Sequence, residues 1–368
     1  MTEDDLTTLA KGDGAALRAP TMRDVAALAG VSLKTVSRVV NQEPGVSPEL
    51  ASRVLDAVGL LGYRHNLTAS SLRRADQKTA TIGLLLDDSS NPFSSELLRA
   101  VEDVAWERGT LVLAGSSDED PDRQRELLHA LVSRRVDGLI AVPASGNQSS
   151  LLRERLLGRP MVLVDRPAPE ADSVTVDNRA GTARALRHLV AHGHRRVAFL
   201  GDLRSLWTAT ERHAGYVEGL AAEGIALDPH LVVMDVRGVD AAERAVSALL
   251  SSAEPPTALL TGQNLITIGA IHSLQRLGLQ HRVALVGFDD FPLADLLDPR
   301  VSVVAQDPTT IGRAAAELLF ARLDGDRRPP QQVVVPTRLI ARGSGELRPD
   351  APLRTAGAFP LGGIHGGE

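Results

Sequence analysis

The chain contains no cysteine. That absence removes disulfide frameworks, thiolate-bound zinc, iron–sulfur clusters and thiol catalysis together. Aromatic residues are scarce, with six Phe, two Trp and two Tyr in 368 residues, so a ring near a ligand-sized cleft carries weight. Lysine is nearly missing as well: of forty basic residues only Lys11, Lys34 and Lys78 are lysine, a skew that base composition explains. The longest apolar runs have about five or six residues, against the ~20 needed to cross a bilayer. The opening MTEDDLTTLAKGDG is acidic and lacks the apolar stretch of a secretion signal, so a cytoplasmic protein is expected, with no membrane partner. Nor is there an excess of positive charge. Forty-six acidic residues give a net charge of −6, so any nucleic-acid surface must be local. At 43% hydrophobic and 23% charged, the composition is that of a globular chain, and the length predicts two or three domains.

Composition divides the chain into segments. Residues 1–19 are polar and acidic and predict a disordered extension, residues 20–65 hold short capped helices, and residues 66–78 form a polar linker. The tail, residues 345–368, is rich in Gly and Pro and predicts a flexible end without a leucine heptad. Between linker and tail, nine strand-length apolar runs alternate with helix-length stretches: TIGLLL, TLVLA, DGLIAV, PMVLV, RVAFLG, LVVM, TALL, VALVGF and VSVVA. Continuous rather than alternating apolar runs imply strands buried on both faces, as in parallel sheets between helices. The repeated alternation gives an α/β domain. Either one barrel or two doubly wound lobes would satisfy the pattern.

Residues 20–65 carry the sharper signal. Thr21 and Asp24 form a capping box at the start of a short helix whose Val25, Ala26, Leu28 and Ala29 predict a buried face. Gly30 ends that helix, and Ser32 caps a second with Val36, Val39 and Val40 inward. Ser47-Pro48 opens a third, whose Leu50, Val54, Leu55, Val58 and Leu61 should close the core. Two helices joined by a glycine turn make a helix-turn-helix, with the second helix entering the major groove. Ser32, Leu33, Lys34, Thr35, Ser37, Arg38 and Asn41, with Thr21 at the first helix, are then the candidate DNA contacts. Lys34 can donate to a guanine edge, Arg38 can do so with two bonds, and Leu33 offers apolar contact. Residues 18–74 hold eight basic and four acidic residues, which supplies the local positive patch.

The run DVAALAGVS-x-x-TVSRVVN, and the chain on to about residue 344, resembles the lactose-repressor/galactose-repressor (LacI/GalR) family. The resemblance implies a helix-turn-helix headpiece, a hinge helix that orders on operator DNA, and a sensor of two Rossmann-like lobes like periplasmic sugar-binding proteins. It thereby favours lobes over a barrel. It places Asn66, Ala69 and a minor-groove leucine, Leu72, in the hinge, with His65 where the family usually has proline. For the sensor at 79–344 it implies a first lobe of about 79–176 and 306–332 and a second of about 177–305 and 333–344.

Effector-binding candidates are Phe93, Asp165, Asp177, Trp207, Arg212, Gln263 and Asp289. Arg212 offers fixed donors, Asp289 at the end of VALVGF can accept adjacent hydroxyls, and the two facing each other would grip a sugar from both sides. Phe93 or Trp207 could pack on its apolar face, although Trp207 could equally be ordinary packing. Asp165 and Asp177 could instead cap helices or bridge lobes. Gln263-Asn264 replaces the family's common Asn-Asp, removing an acid. No catalytic motif appears: no G-x-S-x-G, H-E-x-x-H or Walker loop, and Asp118-Glu119-Asp120 reads as the cap of the helix opened by Pro121 rather than as a metal cluster. The expectation is a homodimeric, ligand-responsive repressor without cofactor, metal or enzymatic activity. Its partners would be pseudopalindromic operator DNA and a small effector, a sugar or sugar derivative. A purine-like co-repressor, and a cytosolic sugar-binding protein with a vestigial headpiece, stay open as alternatives.

Overall fold

A computed structural model describes residues 20–41, 43–63, 78–146 and 148–349. The chain divides into two compact units, Met1–Thr79 and Ala80–Glu368.

In the first unit, α1 (Met22–Ala29), α2 (Leu33–Val40) and α3 (Pro48–Leu61) enclose Val25, Ala29, Val36, Val54 and Ala57. The starts of these helices are fixed by side chains. Asp24 accepts both the backbone N–H and the hydroxyl of Thr21 at 2.7 Å, so that hydroxyl donates rather than caps. Ser32 Oγ accepts the Thr35 N–H at 3.1 Å, and Ser47 Oγ accepts the Leu50 N–H at 3.4 Å. Leu28 and Leu55, expected in the core, are 52% and 58% exposed. Short helices bury only a narrow stripe, and Leu55 lies about 100° round the helix from Val54.

The turn between α1 and α2 depends on Gly30, whose φ is 63°. Arg53 of α3 donates to Ala29 O at 2.5 Å, and a Cβ on Gly30 would stand 2.8 Å from the donating nitrogen. Gly30→Ala therefore meets both a left-handed backbone and a tethered guanidinium. A loss of about 1–2 kcal/mol of headpiece stability is expected in thermal melts of the full chain. An unchanged headpiece transition would contradict this account of the turn.

In the second unit the strands form two sheets. The first contains β1 (Thr81–Leu86), β2 (Leu111–Ser116), β3 (Gly138–Ala141), β4 (Met161–Val164), β5 (Asp172–Val176) and β11 (Gln332–Val335). Their order is β11-β5-β4-β3-β1-β2, parallel throughout. The second contains β6 (Val197–Leu200), β7 (Val232–Val233), β8 (Ala258–Thr261), β9 (Ala284–Phe288), β10 (Ser302–Ala305) and β12 (Arg338–Ile340). Here the order is β12-β10-β9-β8-β6-β7, with only β12 antiparallel. Helices α4 (Pro92–Glu107), α5 (Pro121–Ser133) and α6 (Ser149–Leu156) belong to the first lobe. Helices α7 (Asn178–Ala191), α8 (Trp207–Ala222), α9 (Gly238–Leu250) and α10 (Asn264–Arg276) belong to the second. The last helix, α11 (Pro308–Leu323), follows β10 yet buries Ile311, Ala315 and Leu319 in the first lobe.

The chain thus passes between lobes three times, after β5, after β10 and after β11. Two doubly wound lobes result, not a barrel. Three of these strands escaped the apolar-run reading. β5 opens on Asp172, whose carboxylate takes two bonds from Arg322 at 2.7 and 2.8 Å, while β11 and β12 are short and partly exposed. Because β11 pairs with β5, residues 333–335 lie in the first lobe, correcting the expected boundary after residue 332. The tail also begins later than expected. Glu346 pairs with His188 and accepts from Ser302 Oγ at 3.1 Å, and Leu347 O meets His194 Nε2 at 2.8 Å. Residues 345–349 are therefore tied to the second lobe. The extension at 1–19, the hinge residues Asn66, Ala69 and Leu72, and the tail from 350 onward lie outside the described residues.

Candidate functional site

In the headpiece, α2 turns Val36 into the core and leaves Leu33 and Lys34 exposed. Lys34, Ser37, Arg38 and Asn41 recur at three- and four-residue spacing and share the outer face. Asn41 Nδ2 donates to Ser37 Oγ at 3.2 Å, and the Ser32 and Thr35 hydroxyls meet at 2.9 Å. These polar side chains are thus held in place by one another, while Lys34 projects past them. The arrangement can offer an ammonium, a guanidinium and a carboxamide to a nucleic-acid groove.

In the sensor, polar residues gather where parallel strands end. Asp87 follows β1, Asp165 follows β4, Gly262 follows β8, Asp289 follows β9 and Gln306 follows β10, with Asp202 two residues past β6. Carboxyl ends of parallel strands are where open α/β sheets bind ligands. These residues line a common cavity of about 50 Å³ between the lobes, joined by Asn91, Phe93, Glu119, Arg166, Thr208, Arg212 and Gln263. Ligand pockets span roughly 300–1,000 Å³, so this cavity by itself is smaller than a ligand pocket.

Two guanidinium clusters fill the cavity. Arg212, 5% exposed, lies on α8, which approaches α7 so closely that a Cβ on Gly215 would stand 2.3 Å from Arg179 O. Its Nε donates to Asn178 Oδ1 at 2.7 Å, its Nη1 to Gly262 O at 2.8 Å and to Asp289 Oδ2 at 3.4 Å, and it stacks 3.8 Å over the Phe288 ring. Asp289 also accepts from Gln306 Nε2 at 2.5 Å. On the first lobe, Arg166 forks onto Glu119 and donates to Pro143 O. Burial pushes the Asp165 carboxyl up to about 6, against the pull of Arg166 and Arg212, with Asp87 and Asp289 adding to the rise. Burial raises Asp202 as well.

The lobes are bridged across the cavity. Asn264 Nδ2 donates to Asn91 Oδ1 at 2.8 Å, and Asn91 Nδ2 returns a bond at 3.4 Å; Arg237 reaches Asp118 O at 2.6 Å. The amide at 264 thus serves as both donor and acceptor, which an ionised carboxylate could not do.

The structure brings together Phe93, Asp165, Arg212, Gln263 and Asp289. It corrects three expectations. Arg212 and Asp289 are neighbours on the second lobe, not opposing jaws, and Asp165 faces them from the first. Asp177 stands apart from the cavity, holding Arg184 at 3.1 Å and the Thr337 N–H at 2.7 Å where the chain recrosses between lobes. Trp207 opens α8 but does not line the cavity, whereas its neighbours Leu206 and Thr208 do. Gln263 Oε1 accepts the Leu265 and Ile266 N–H groups at 2.9 and 3.3 Å, so its carbonyl caps α10. Residues missed were Asp87, Asn91, Glu119, Arg166, Asp202 and Gln306. Their position just beyond apolar runs was the available signal for Asp87 and Asp202. Asp120 does cap α5, at 2.8 Å from the Asp122 N–H, while Glu119 turns to Arg166. A larger hollow of about 810 Å³, lined by Glu96, Phe291, Pro292, Pro336 and Arg338, adjoins the cavity and shares Phe93, Asp289 and Gln306 with it.

A model of bacterial regulatory proteins of the lacI family matches residues 21–66, and a periplasmic binding protein-like domain matches residues 186–345. Catabolite control protein A of Priestia megaterium is 33% identical over 331 residues, covering 88% of this chain and 98% of its own length. A solved complex of the transcriptional regulator CelR with cellobiose is 29% identical at a TM-score of 0.67, covering 88% of this chain and 99% of the other. The lac repressor dimer bound to operator and the anti-inducer ONPF shares the fold at a TM-score of 0.80 and 24% identity, covering 89% and 99%. A lacI-type helix-turn-helix domain followed by a two-lobed periplasmic binding protein-like domain defines the class, that of DNA-binding transcriptional regulators. This chain belongs to the LacI/GalR family. Among its described residues, no helix is long and apolar enough to cross a membrane.

Proposed function

We propose that this protein is a homodimeric repressor that binds a pseudopalindromic operator and is released or engaged by a polyhydroxylated effector of the sugar class. One observation carries the effector reading. Asp165, Arg212 and Asp289 converge at strand ends in the interlobe cleft beside one ring, Phe93. Hydroxyl-rich ligands suit such a set of fixed donors and acceptors, whereas a purine would call for rings to stack against. The capped, cored headpiece speaks for a working DNA reader, with Ser32, Lys34, Ser37 and Arg38 at base edges, Leu33 in apolar contact, and Thr21, Thr35 and Asn41 as further DNA contacts. Asn66, Ala69 and Leu72 would complete contact in the minor groove.

The dimer reading rests on apolar side chains left in water. Leu111 and Leu113 on the β2 edge are 56% and 36% exposed, and Leu293 and Leu296 are 65% and 74% exposed. Uncovered groups of this kind mark association surfaces. Closure of the lobes on effector would change the spacing of paired headpieces. Coupling of this kind is reciprocal, so effector must change operator affinity by the same factor, in the same direction, as operator changes effector affinity. Operator titrations at saturating effector and effector titrations at saturating operator should return the same factor. Unequal factors at equilibrium would refute the scheme.

A further inference from the structure

The interlobe cavity is unbalanced in charge. Its lining holds five carboxylates, Asp87, Glu119, Asp165, Asp202 and Asp289, against two guanidiniums, Arg166 and Arg212. Both guanidiniums are already neutralised, Arg166 by Glu119 and Arg212 by Asp289, and Arg166 also donates to Pro143 O while Arg212 donates to Gly262 O and Asn178. No free cation is left there for a phosphate or carboxylate. Among the lining residues, Asp87 and Asp202 meet no guanidinium at ion-pair distance, and Asp165 meets only the one already held by Glu119. Asp87 accepts the Ser94 hydroxyl at 2.7 Å, and Asp202 accepts the Leu203 N–H at 2.7 Å. The Asp165 carboxylate, 11% exposed, lies 3.5 Å from the Nε of its neighbour Arg166, and that contact is an ion pair without hydrogen-bond geometry. Arg166 itself is 4% exposed, and its Nε has no hydrogen-bond partner although the residue lines the cavity. The site therefore offers both an unmet donor and uncompensated negative charge.

We propose that the effector carries a protonated amine as well as hydroxyls, an amino sugar or a molecule of like chemistry, with the ammonium set among Asp87, Asp165 and Asp202. A hydroxyl beside it would accept from Arg166 Nε. Buried charges persist when they are paired. An ammonium supplies the missing counter-charge, a neutral hydroxyl leaves the three acids as they were, and a phosphate meets like charge. This reading rests on the cleft being the effector site, and it narrows what that site accepts.

The test uses the full chain and matched probes: glucosamine with glucose, galactosamine with galactose, and the 6-phosphates of the neutral sugars. Calorimetry at about pH 7 should show at least one amine binding roughly tenfold tighter than its hydroxyl counterpart, a difference of about one charge-assisted bond. The 6-phosphates should not bind. Affinity for the amine should fall several-fold near pH 5, as Asp165, faced by Arg166, Arg212, Asp87 and Asp289, takes up a proton. Asp202→Asn should bring the amine-to-hydroxyl ratio toward one. A neutral sugar or phosphate binding as tightly as its amine counterpart overturns the proposal, and so does a panel in which no amine binds. A neutral sugar that binds at least as tightly as its amine counterpart and alters operator affinity would leave the effector reading standing while this one falls. Binding unaltered by Arg212→Ala would instead remove the cleft itself.

Discussion

Arg212→Ala is expected to erase the effector response, bringing the ratio of operator affinities without and with effector to one. The side chain joins α7, the β8 end and the β9 end through Asn178, Gly262 and Asp289, and it covers the Phe288 face. Truncation removes the fork that would hold ligand hydroxyls and leaves Asp289 buried with only Gln306 as a hydrogen-bond donor. Breaking a buried pair from one side costs about 3–5 kcal/mol, so the second lobe should also melt at lower temperature. Arg212→Lys keeps the charge but not the planar fork, and should recover part of the stability without the response. Titration of labelled operator by anisotropy, with and without effector, reads this directly. If operator affinity measured without effector collapses as well, Arg212 is a folding residue and the cleft loses its assigned role.

The second large effect is expected from the headpiece. Replacing both Lys34 and Arg38 with alanine should weaken specific operator binding by about 2–6 kcal/mol per headpiece, taking ~1–3 kcal/mol for each base-edge contact. Lys34 is exposed and Arg38 half-buried, and neither belongs to the headpiece core. The melting temperature should therefore move little. Discrimination against a scrambled site should shrink with the affinity, because these side chains read bases as well as charge. A double variant that binds operator within twofold of the parent would place the reading surface elsewhere.

The headpiece was legible in the sequence because its determinants are local. Thr21, Ser32 and Ser47 mark helix starts, Gly30 marks a stop, and Val25 with Ala29, Val36 with Val39 and Val40, and Val54 with Val58 fall on helical spacing. What escaped was the depth of burial. Leu28 and Leu55 are apolar, but three short helices have no surface to cover them, and nothing in the local pattern says so. In the sensor the apolar runs marked nine strands, since parallel strands buried on both faces are continuous. β5 was hidden by the buried polar residues Asp172, Ser173 and Thr175, the first two of which meet Arg322 and Gln332 from distant sequence. Family resemblance supplied Arg212 and Asp289 but not their placement. Their 3.4 Å separation on one lobe follows from the β9 end meeting α8, a tertiary fact. Asp177 shows the reverse error: an acid opening a helix beside the cleft, drawn instead to Arg184 and Thr337. Asp87 and Asp202 were readable by their place just past strands and were overlooked.

The account turns on α2 entering a duplex groove, and the salt dependence of operator affinity tests it most directly. Each phosphate neutralised by lysine or arginine contributes about −0.9 to the slope of log K against log salt. Two headpieces, each within a segment carrying a local excess of four positive charges, predict a linear fall with a slope of roughly −4 to −7. Substituting Lys34 and Arg38 should make that slope shallower. A flat line, or a slope unmoved by both substitutions, would contradict the placement of this helix on DNA.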